Sequence, residues 1–194
     1  MYVQTFYQIG CITYSFTKKT IFARRFTRSA WLTTIILHNR ISWRRLKLQK
    51  RPQKYETMYP EELTIPMAQD LTNFGFTGLK TSADVDAALS NEEGTTLLVV
   101  NSVCGCAAAN ARPGAKISVQ NDKAPDRLMT VFAGVDRDAT ARAREFLLPY
   151  PPSSPSIALF KDGKLVHFLE RHHIEGRSAE VIAENLKMAY ERFC

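Results

Sequence analysis

The stretch TTLLVVNSVCGC, residues 95–106, indicates the fold of this chain. Its first six residues follow a glycine and form a run of Thr, Leu and Val, which is typical of a strand buried on both faces of a sheet. Asn101 and Ser102 come next, and both residue types favour the cap of a helix. The stretch therefore predicts a buried strand followed by a helix, with Cys104 in or beside the first helical turn.

Strand and helix patterns alternate through the rest of the chain after Met58. The other predicted strands are 128–132, 156–160 and 165–169, the last two joined by a tight turn at 161–164. The other predicted helices are 60–74 with an interruption near Pro66, a short helix capped by Ser82, 139–148, and a last helix from Ser178. This order indicates an α/β sandwich in which helical crossovers join the first strands and a hairpin joins the last two.

Positive charge is concentrated in residues 1–57. This segment holds 12 of the 26 Lys and Arg but a single acid, Glu56, whereas residues 58–194 hold 14 basic and 18 acidic residues. The mildly acidic remainder argues against a nucleic-acid partner. We interpret 1–57 as a basic N-terminal extension that is disordered or absent from the native protein, with Met58 as the favoured start; a transit peptide and a binding arm are the alternatives.

The spacing of the four cysteines excludes two common classes of protein. Cys11, Cys104, Cys106 and Cys194 lack the density of a secreted disulfide scaffold and the paired CxxC units of a structural zinc site. We therefore expect a reducing, cytoplasmic setting in which a close cysteine pair is reactive. No apolar run approaches the roughly 20 residues that span a bilayer, so no membrane partner is expected.

Cys104 and Cys106 follow the carboxyl end of the first buried strand, where open α/β sheets bind their ligands. The free N–H groups at the start of a helix stabilise a thiolate and lower the pKa of a cysteine there. Because the thiolate is the nucleophile in disulfide exchange, this position favours redox chemistry. A one-residue gap closes a small disulfide ring, and Gly105 eases the backbone geometry that it requires.

Two other roles of the pair remain open from the residues alone. Both cysteines could be small packing residues at a helix start, or they could bind a metal with histidines some 60–70 residues further on. His167, His172 and His173 are the candidate ligands, but the last two are expected in a solvated turn before Gly176. We therefore expect no metal site.

Three features beside the cysteines resemble the thioredoxin superfamily. Pro113 interrupts the helix about two turns after Cys104, where thioredoxins carry a kinking proline. Pro155 stands directly before a strand, in the place of the family's cis-proline, and Asp136 takes the place of an acidic turn. The resemblance implies a thioredoxin-like three-layer sandwich with a central mixed four-stranded sheet and flanking helices.

The chain is more specifically similar to the bacilliredoxins, a bacterial branch with CxC active sites. The stretches that carry this resemblance are 94–108 with its CGC motif, Gln120–Lys123, Pro152–Ser156, His167–Phe168 and Phe193–Cys194. They cover the region from Met58 to Cys194, and no part of 1–57 takes part.

The resemblance implies removal of the small thiol bacillithiol from mixed disulfides on proteins, with disulfide isomerisation as a further possibility. Cys104 would attack, Cys106 would resolve, and Pro155 with a cis Ser154–Pro155 bond would shape the substrate groove together with Ser154, Asn101 and Gly105. Bacillithiol would be a co-substrate and no cofactor would be bound. The partners would be S-thiolated client proteins. A general disulfide reductase or isomerase and a non-enzymatic redox sensor are the alternatives.

Several positions depart from thioredoxin or carry weaker expectations. Leu98 replaces the buried aspartate that handles protons in thioredoxins, and Val103 replaces the tryptophan before the first cysteine. Proton transfer to the resolving thiol must therefore use another group or water. Arg112 and Lys116 could attract a carboxylate-bearing thiol, although solvated side chains are expected there, and Cys194 is expected to be a frayed terminal residue.

Overall fold

A computed structural model describes residues 59–90 and 93–194. The predicted extension 1–57, with Cys11, lies outside these residues. Within them, no helix has both the length and the apolar character needed to cross a membrane.

The described part of the chain forms one sheet of five strands. They are β1 (Thr77–Gly78), β2 (Thr95–Asn101), β3 (Arg127–Phe132), β4 (Ser156–Lys161) and β5 (Lys164–Leu169). Their order across the sheet is β1-β3-β2-β4-β5, with β1, β3 and β2 parallel and with β4 and β5 antiparallel to their neighbours. The mixed sheet is confirmed, but four strands were expected. The missed strand, β1, has only two residues and both are exposed, so it carries no apolar pattern.

Helices cover both faces of the sheet. They are α1 (Glu61–Thr72), α2 (Ser82–Leu89), α3 (Arg112–Ser118), α4 (Arg137–Phe146), α5 (Arg171–Ile174) and α6 (Ala179–Phe193). Helices α1, α3 and α6 pack on one face, where Leu97 and Val99 point, and α2 and α4 pack on the other, where Leu98 and Val100 point. Side chains of a strand alternate between the two faces of the sheet, so an unbroken apolar run contributes to the hydrophobic core on each face. The three-layer α/β arrangement is confirmed.

Two helix boundaries differ from the sequence-based expectation. Helix α1 continues through Pro66 without interruption. A proline there removes one backbone hydrogen bond, and the exposed Glu62 carbonyl can bond water instead. Helix α2 is capped by Thr81, not by Ser82: the Thr81 hydroxyl accepts a bond from the Asp84 N–H at 3.2 Å, and the Asp84 carboxylate accepts one from the Thr81 N–H at 2.9 Å. This capping box also lowers the pKa of Asp84.

Helices α3 and α6 approach each other closely at Gly114. A Cβ atom at this position would lie 2.8 Å from Cγ2 and 2.9 Å from Cβ of Ile182, and 3.1 Å from the Ala179 carbonyl oxygen. The absence of a side chain therefore sets the spacing of the helix that follows the cysteine pair. The same two helices are joined by a buried hydrogen bond of 2.8 Å between the Ser118 and Tyr190 hydroxyls.

We expect Gly114→Ala to lower the free energy of unfolding by about 1–3 kcal/mol, although alanine is the better helix former, because overpacking outweighs propensity. Urea denaturation at neutral pH measures this. The matched control is Gly78→Ala, whose added Cβ meets only the Thr72 methyl at 3.6 Å. An unchanged midpoint for Gly114→Ala would contradict the close approach.

Candidate active site

The cysteine pair lies at the carboxyl edge of the parallel strands. Strand β2 ends at Asn101, and Cys104 and Cys106 follow it as a disulfide with their Cα atoms 5.5 Å apart. The Cys104 carbonyl accepts hydrogen bonds from the N–H groups of Ala107 and Ala108 at 3.1 and 3.3 Å, so Cys104 stands at the helix start as predicted. Cys104 and Cys106 are both partly exposed, and Gly105 between them is exposed.

The helix after the cysteines begins with a wider turn than expected. Residues Ala107–Ala111 form a π-helical turn that leads into α3, and the Arg112 N–H bonds to the Ala107 carbonyl. Pro113 follows immediately and has no N–H group to donate. A wider turn keeps the proline ring away from the preceding carbonyls, which explains why the helix continues where the sequence indicated a break.

The loop before β4 lies beside the cysteine loop. Ser156 pairs with Val100 in the antiparallel register, which puts Ser154 and Pro155 next to Asn101. The Ser154–Pro155 peptide bond is cis, as the resemblance implied, and Leu148–Pro149 is a second cis bond that was not expected. The structure thus brings the cysteine pair and Pro155 together at one edge. A substrate-binding role for Ser154, Pro155 and Gly105 stays a prediction.

Asn101 holds the turn between β2 and the cysteines. The residue is 1% exposed, and its Nδ2 donates to the Met67 carbonyl of α1 at 3.1 Å. Its Oδ1 accepts from the Ser102 N–H at 2.9 Å and from Arg112 Nη1 at 3.1 Å. These bonds hold the loop between β2 and the cysteines against α1 and α3. Contact between Asn101 and substrate stays a prediction.

Arg112 is buried, so the expectation of a solvated side chain is wrong. The residue is 5% exposed, and its Nε donates to Asp70 Oδ2 on α1 at 2.8 Å. Its Nη1 also donates to the Ser102 carbonyl at 3.4 Å. Lys116, one turn further along α3, donates to the other oxygen of Asp70 at 2.5 Å. Both cations are therefore paired with a carboxylate of the protein itself.

The Asp70 carboxyl has a pKa below its ordinary value. Burial acts to raise that pKa, but the hydrogen bonds and charges of Lys116 and Arg112 together outweigh it. The sequence showed no sign of this cluster, because Asp70 lies 42 residues before Arg112 and on a different helix.

Ser102 contacts the first cysteine directly. It is 8% exposed, and its Oγ lies 3.1 Å from the Sγ of Cys104. The sequence indicates a helix cap at Ser102 but carries no signal for this contact, which depends on the path of the loop after β2.

A cavity of about 250 Å³ opens at the same edge of the sheet. Its lining includes Asn101 and Phe132 at the ends of β2 and β3, Lys80, and Asp136 in the turn before α4. Burial raises the pKa of Asp136, and this outweighs the backbone hydrogen bond and the charge of Lys80 that act to lower it. The predicted acidic turn therefore lies at the carboxyl edge of the sheet that also carries the cysteines.

The histidines expected in a solvated turn belong to a short helix, α5. Glu170, His172 and His173 have ligand-type atoms within 4.8 Å of one another, and both histidines are exposed. The Glu170 side chain and the His173 Nδ1 are used in a reciprocal cap at the start of α5. His167 instead bonds Asn185 through Nε2 at 2.7 Å. The absence of a metal site stays a prediction.

Comparison with known proteins is consistent with these features. The family described as Disulphide isomerase matches residues 59–194. A bacilliredoxin of Cytophaga hutchinsonii is 60% identical over 134 residues, which cover 69% of this chain and 98% of that protein. A bacilliredoxin of Salinibacter ruber is 54% identical over 138 residues, which cover 70% of this chain and 81% of that protein.

The chain belongs to the bacilliredoxin family.

Solved thioredoxins have a related structure. Thioredoxin O2 of Arabidopsis thaliana is 18% identical with a TM-score of 0.44, covering 61% of this chain and 96% of that protein. The thioredoxin of Malassezia sympodialis is 13% identical with a TM-score of 0.43, covering 61% of this chain and 90% of that protein. The expected fold class is carried by the chain's own mixed sheet, with helices on both faces, and as a member of this family the protein is a thiol–disulfide oxidoreductase.

The last cysteine of this bacilliredoxin is anchored, so the expectation of a frayed end is wrong. The Cys194 N–H bonds to the Tyr190 carbonyl at 2.8 Å, and its thiol lies beside the side chain of Thr95, the first residue of β2. Burial raises the pKa of this thiol although the residue as a whole is exposed. Strand β2 separates Thr95 from Asn101, a rise of about 20 Å, so Cys194 and Cys104 lie at opposite ends of the sheet.

We expect Asp70→Asn to lower the free energy of unfolding by roughly 1–3 kcal/mol at neutral pH, because the buried Arg112 loses its charged partner. The pKa of Asp70 is lowered in the folded protein, so its stabilisation is present above the pKa of the unfolded chain and is lost as the pH falls through the folded value. Urea denaturation over a pH series should show the two proteins converging in acid.

The matched control for this series is Asp86→Asn. Asp86 pairs with Arg142 at the surface, with side chains 46% and 35% exposed, and such pairs contribute about 1 kcal/mol or less. Equal losses for Asp70→Asn and Asp86→Asn would contradict a special role for the buried cluster.

Proposed function

We propose that this oxidoreductase removes bacillithiol from mixed disulfides on client proteins, with Cys104 as the attacking thiol and Cys106 as the resolving thiol. The observation that carries this proposal is the position of Cys104. This residue is partly exposed and stands at the start of a helix, where free N–H groups favour the thiolate. The choice of bacillithiol as the small thiol follows from the resemblance to the bacilliredoxins.

The two steps exchange one disulfide for another. The Cys104 thiolate attacks the bacillithiol sulfur of the mixed disulfide, so that a bond from Cys104 to bacillithiol forms and the client leaves as a thiolate. The Cys106 thiolate then attacks Cys104, which releases bacillithiol as a thiolate and forms the Cys104–Cys106 disulfide. Two electrons pass from the cysteine pair to the mixed disulfide. Two further low-molecular-weight thiols then reduce the pair: the first forms a mixed disulfide with one cysteine, and the second releases it as the disulfide of the two small thiols.

Client access is consistent with the geometry around the pair. Gly105 is exposed between the two cysteines and Ser154 is partly exposed, whereas Pro155 is buried at the same edge of the sheet. We propose that client chains pass over Gly105 and the Ser154–Pro155 segment, and that the protein acts in the cytoplasm, where S-thiolated clients would be its partners.

Disulfide isomerisation is the second candidate activity, because the matching family is described as Disulphide isomerase. An isomerase must release its substrate before Cys106 resolves the adduct. Assays on a protein with scrambled disulfides separate the two activities: an isomerase restores the native pairing without net reduction, whereas a de-thiolating enzyme leaves scrambled pairs unchanged.

We expect Cys104→Ser to abolish release of bacillithiol from a bacillithiol-modified client, because the nucleophile is lost. Cys106→Ser should still free the client in the first turnover and retain bacillithiol on Cys104. Intact-mass spectrometry of enzyme and client after a single turnover measures both results.

Cys194→Ser is the matched control, because its thiol lies at the opposite end of β2, and it should behave like the unaltered protein. Undiminished activity of Cys104→Ser would contradict the assignment of Cys104 as the attacking thiol. Bacillithiol on Cys106 instead of Cys104 would reverse the two roles.

A further inference from the structure

The contacts of Ser102 suggest that this residue does more than cap the active-site helix. Its backbone is held on both sides, since its N–H donates to Asn101 Oδ1 at 2.9 Å and its carbonyl accepts from Arg112 Nη1 at 3.4 Å. Its hydroxyl is left facing Cys104 Sγ at 3.1 Å, within hydrogen-bonding distance for oxygen and sulfur. Ser102 is also buried, so water competes poorly for the hydroxyl.

We propose that the Ser102 hydroxyl donates a hydrogen bond to the Cys104 thiolate and is a third catalytic residue, and that Arg112 is the positioning residue that holds Ser102 for it. The inference rests on the proposed attack by Cys104. A disulfide sulfur is a weak acceptor, whereas a thiolate carries a full negative charge, so the bond strengthens when the pair is reduced. No proton is transferred: the hydroxyl keeps its hydrogen while the sulfur attacks or leaves.

Arg112 acts through Ser102 rather than on the sulfur. Its guanidinium donates to Asn101 and Ser102 while its Nε is fixed by Asp70. A planar group with several donors can hold two acceptors at once, which a lysine ammonium on a flexible stem does less well. Arg112 therefore sets the direction in which the Ser102 hydroxyl points.

The charges around this bond come from three elements. Arg112 and Lys116 lie on α3, Asp70 lies on α1, and Asp136 lies in the turn before α4 across the cavity that Asn101 lines. The Asp70 carboxylate pairs with both α3 cations and offsets one of their two positive charges, which weakens their direct electrostatic effect on Cys104. The neutral Ser102 hydroxyl, at contact distance, is then the local donor to the sulfur.

The test is the thiol pKa of Cys104 in the reduced full-length protein. It is measured from the pH dependence of alkylation by iodoacetamide, with the Cys104 peptide followed by mass spectrometry. We expect Ser102→Ala to raise this pKa by about one unit, so that the alkylation rate below the pKa falls about tenfold.

Arg112→Lys separates positioning from charge. It keeps the positive charge but not the fork of donors, and we expect the Cys104 pKa to rise in the same direction as in Ser102→Ala. In Ser102→Ala/Arg112→Lys the two rises should not add, because both changes remove the same hydrogen bond.

Ser118→Ala is the matched control. It removes another buried serine hydroxyl, which bonds Tyr190 instead of sulfur, so it should lower the melting temperature and leave the Cys104 pKa unchanged. An unaltered pKa in Ser102→Ala would overturn the catalytic role. An unaltered pKa in Arg112→Lys, or additive rises in the double variant, would overturn the positioning role. The alkylation assay uses no bacillithiol, so its result is independent of the proposed substrate.

Discussion

The guanidinium of Arg112 joins the three elements that meet beneath the cysteine pair. It starts from α3, pairs with Asp70 on α1, and donates to Asn101 and Ser102 at the end of β2. A buried cation is costly unless it is paired and hydrogen-bonded, so these contacts constrain one another. Helix α1, the end of β2 and the active-site helix can therefore reach their native positions only together.

The same constraint organises the chemistry at the edge of the sheet. Asn101 and Arg112 are buried and hydrogen-bonded, whereas Cys104 and Cys106 are partly exposed and Gly105 is exposed. The start of the helix supplies free N–H groups there, and the Ser102 hydroxyl reaches the first sulfur. A partly exposed nucleophile that is supported by a buried hydrogen-bonded network is suited to repeated exchange of disulfides.

Sequence patterns were most successful for the buried strand and the helix start beside it, whose decisive residues are close along the chain. The apolar run before Asn101 gave β2 and its two buried faces, and the spacing to Cys104 gave the start of the helix. The prolines were harder to interpret, because Pro66 and Pro113 both lie within continuous helical segments. At Pro66 solvent can bond the carbonyl that lacks a partner. At Pro113 a wider turn of the helix accommodates the missing N–H. Strand β1 was missed because its two residues are exposed and gain their place only by pairing with β3.

The sequence by itself determined the α/β layering, the family, the cysteine pair and its location after a buried strand. It did so because these depend on local periodicity and on residues that are adjacent in the chain. Only the tertiary structure decided that Arg112 is buried, that Asp70 and Lys116 complete its cluster, and that Ser102 faces the sulfur of Cys104. A charged side chain looks solvated in any sequence until folding brings its partner, here 42 residues away, into contact.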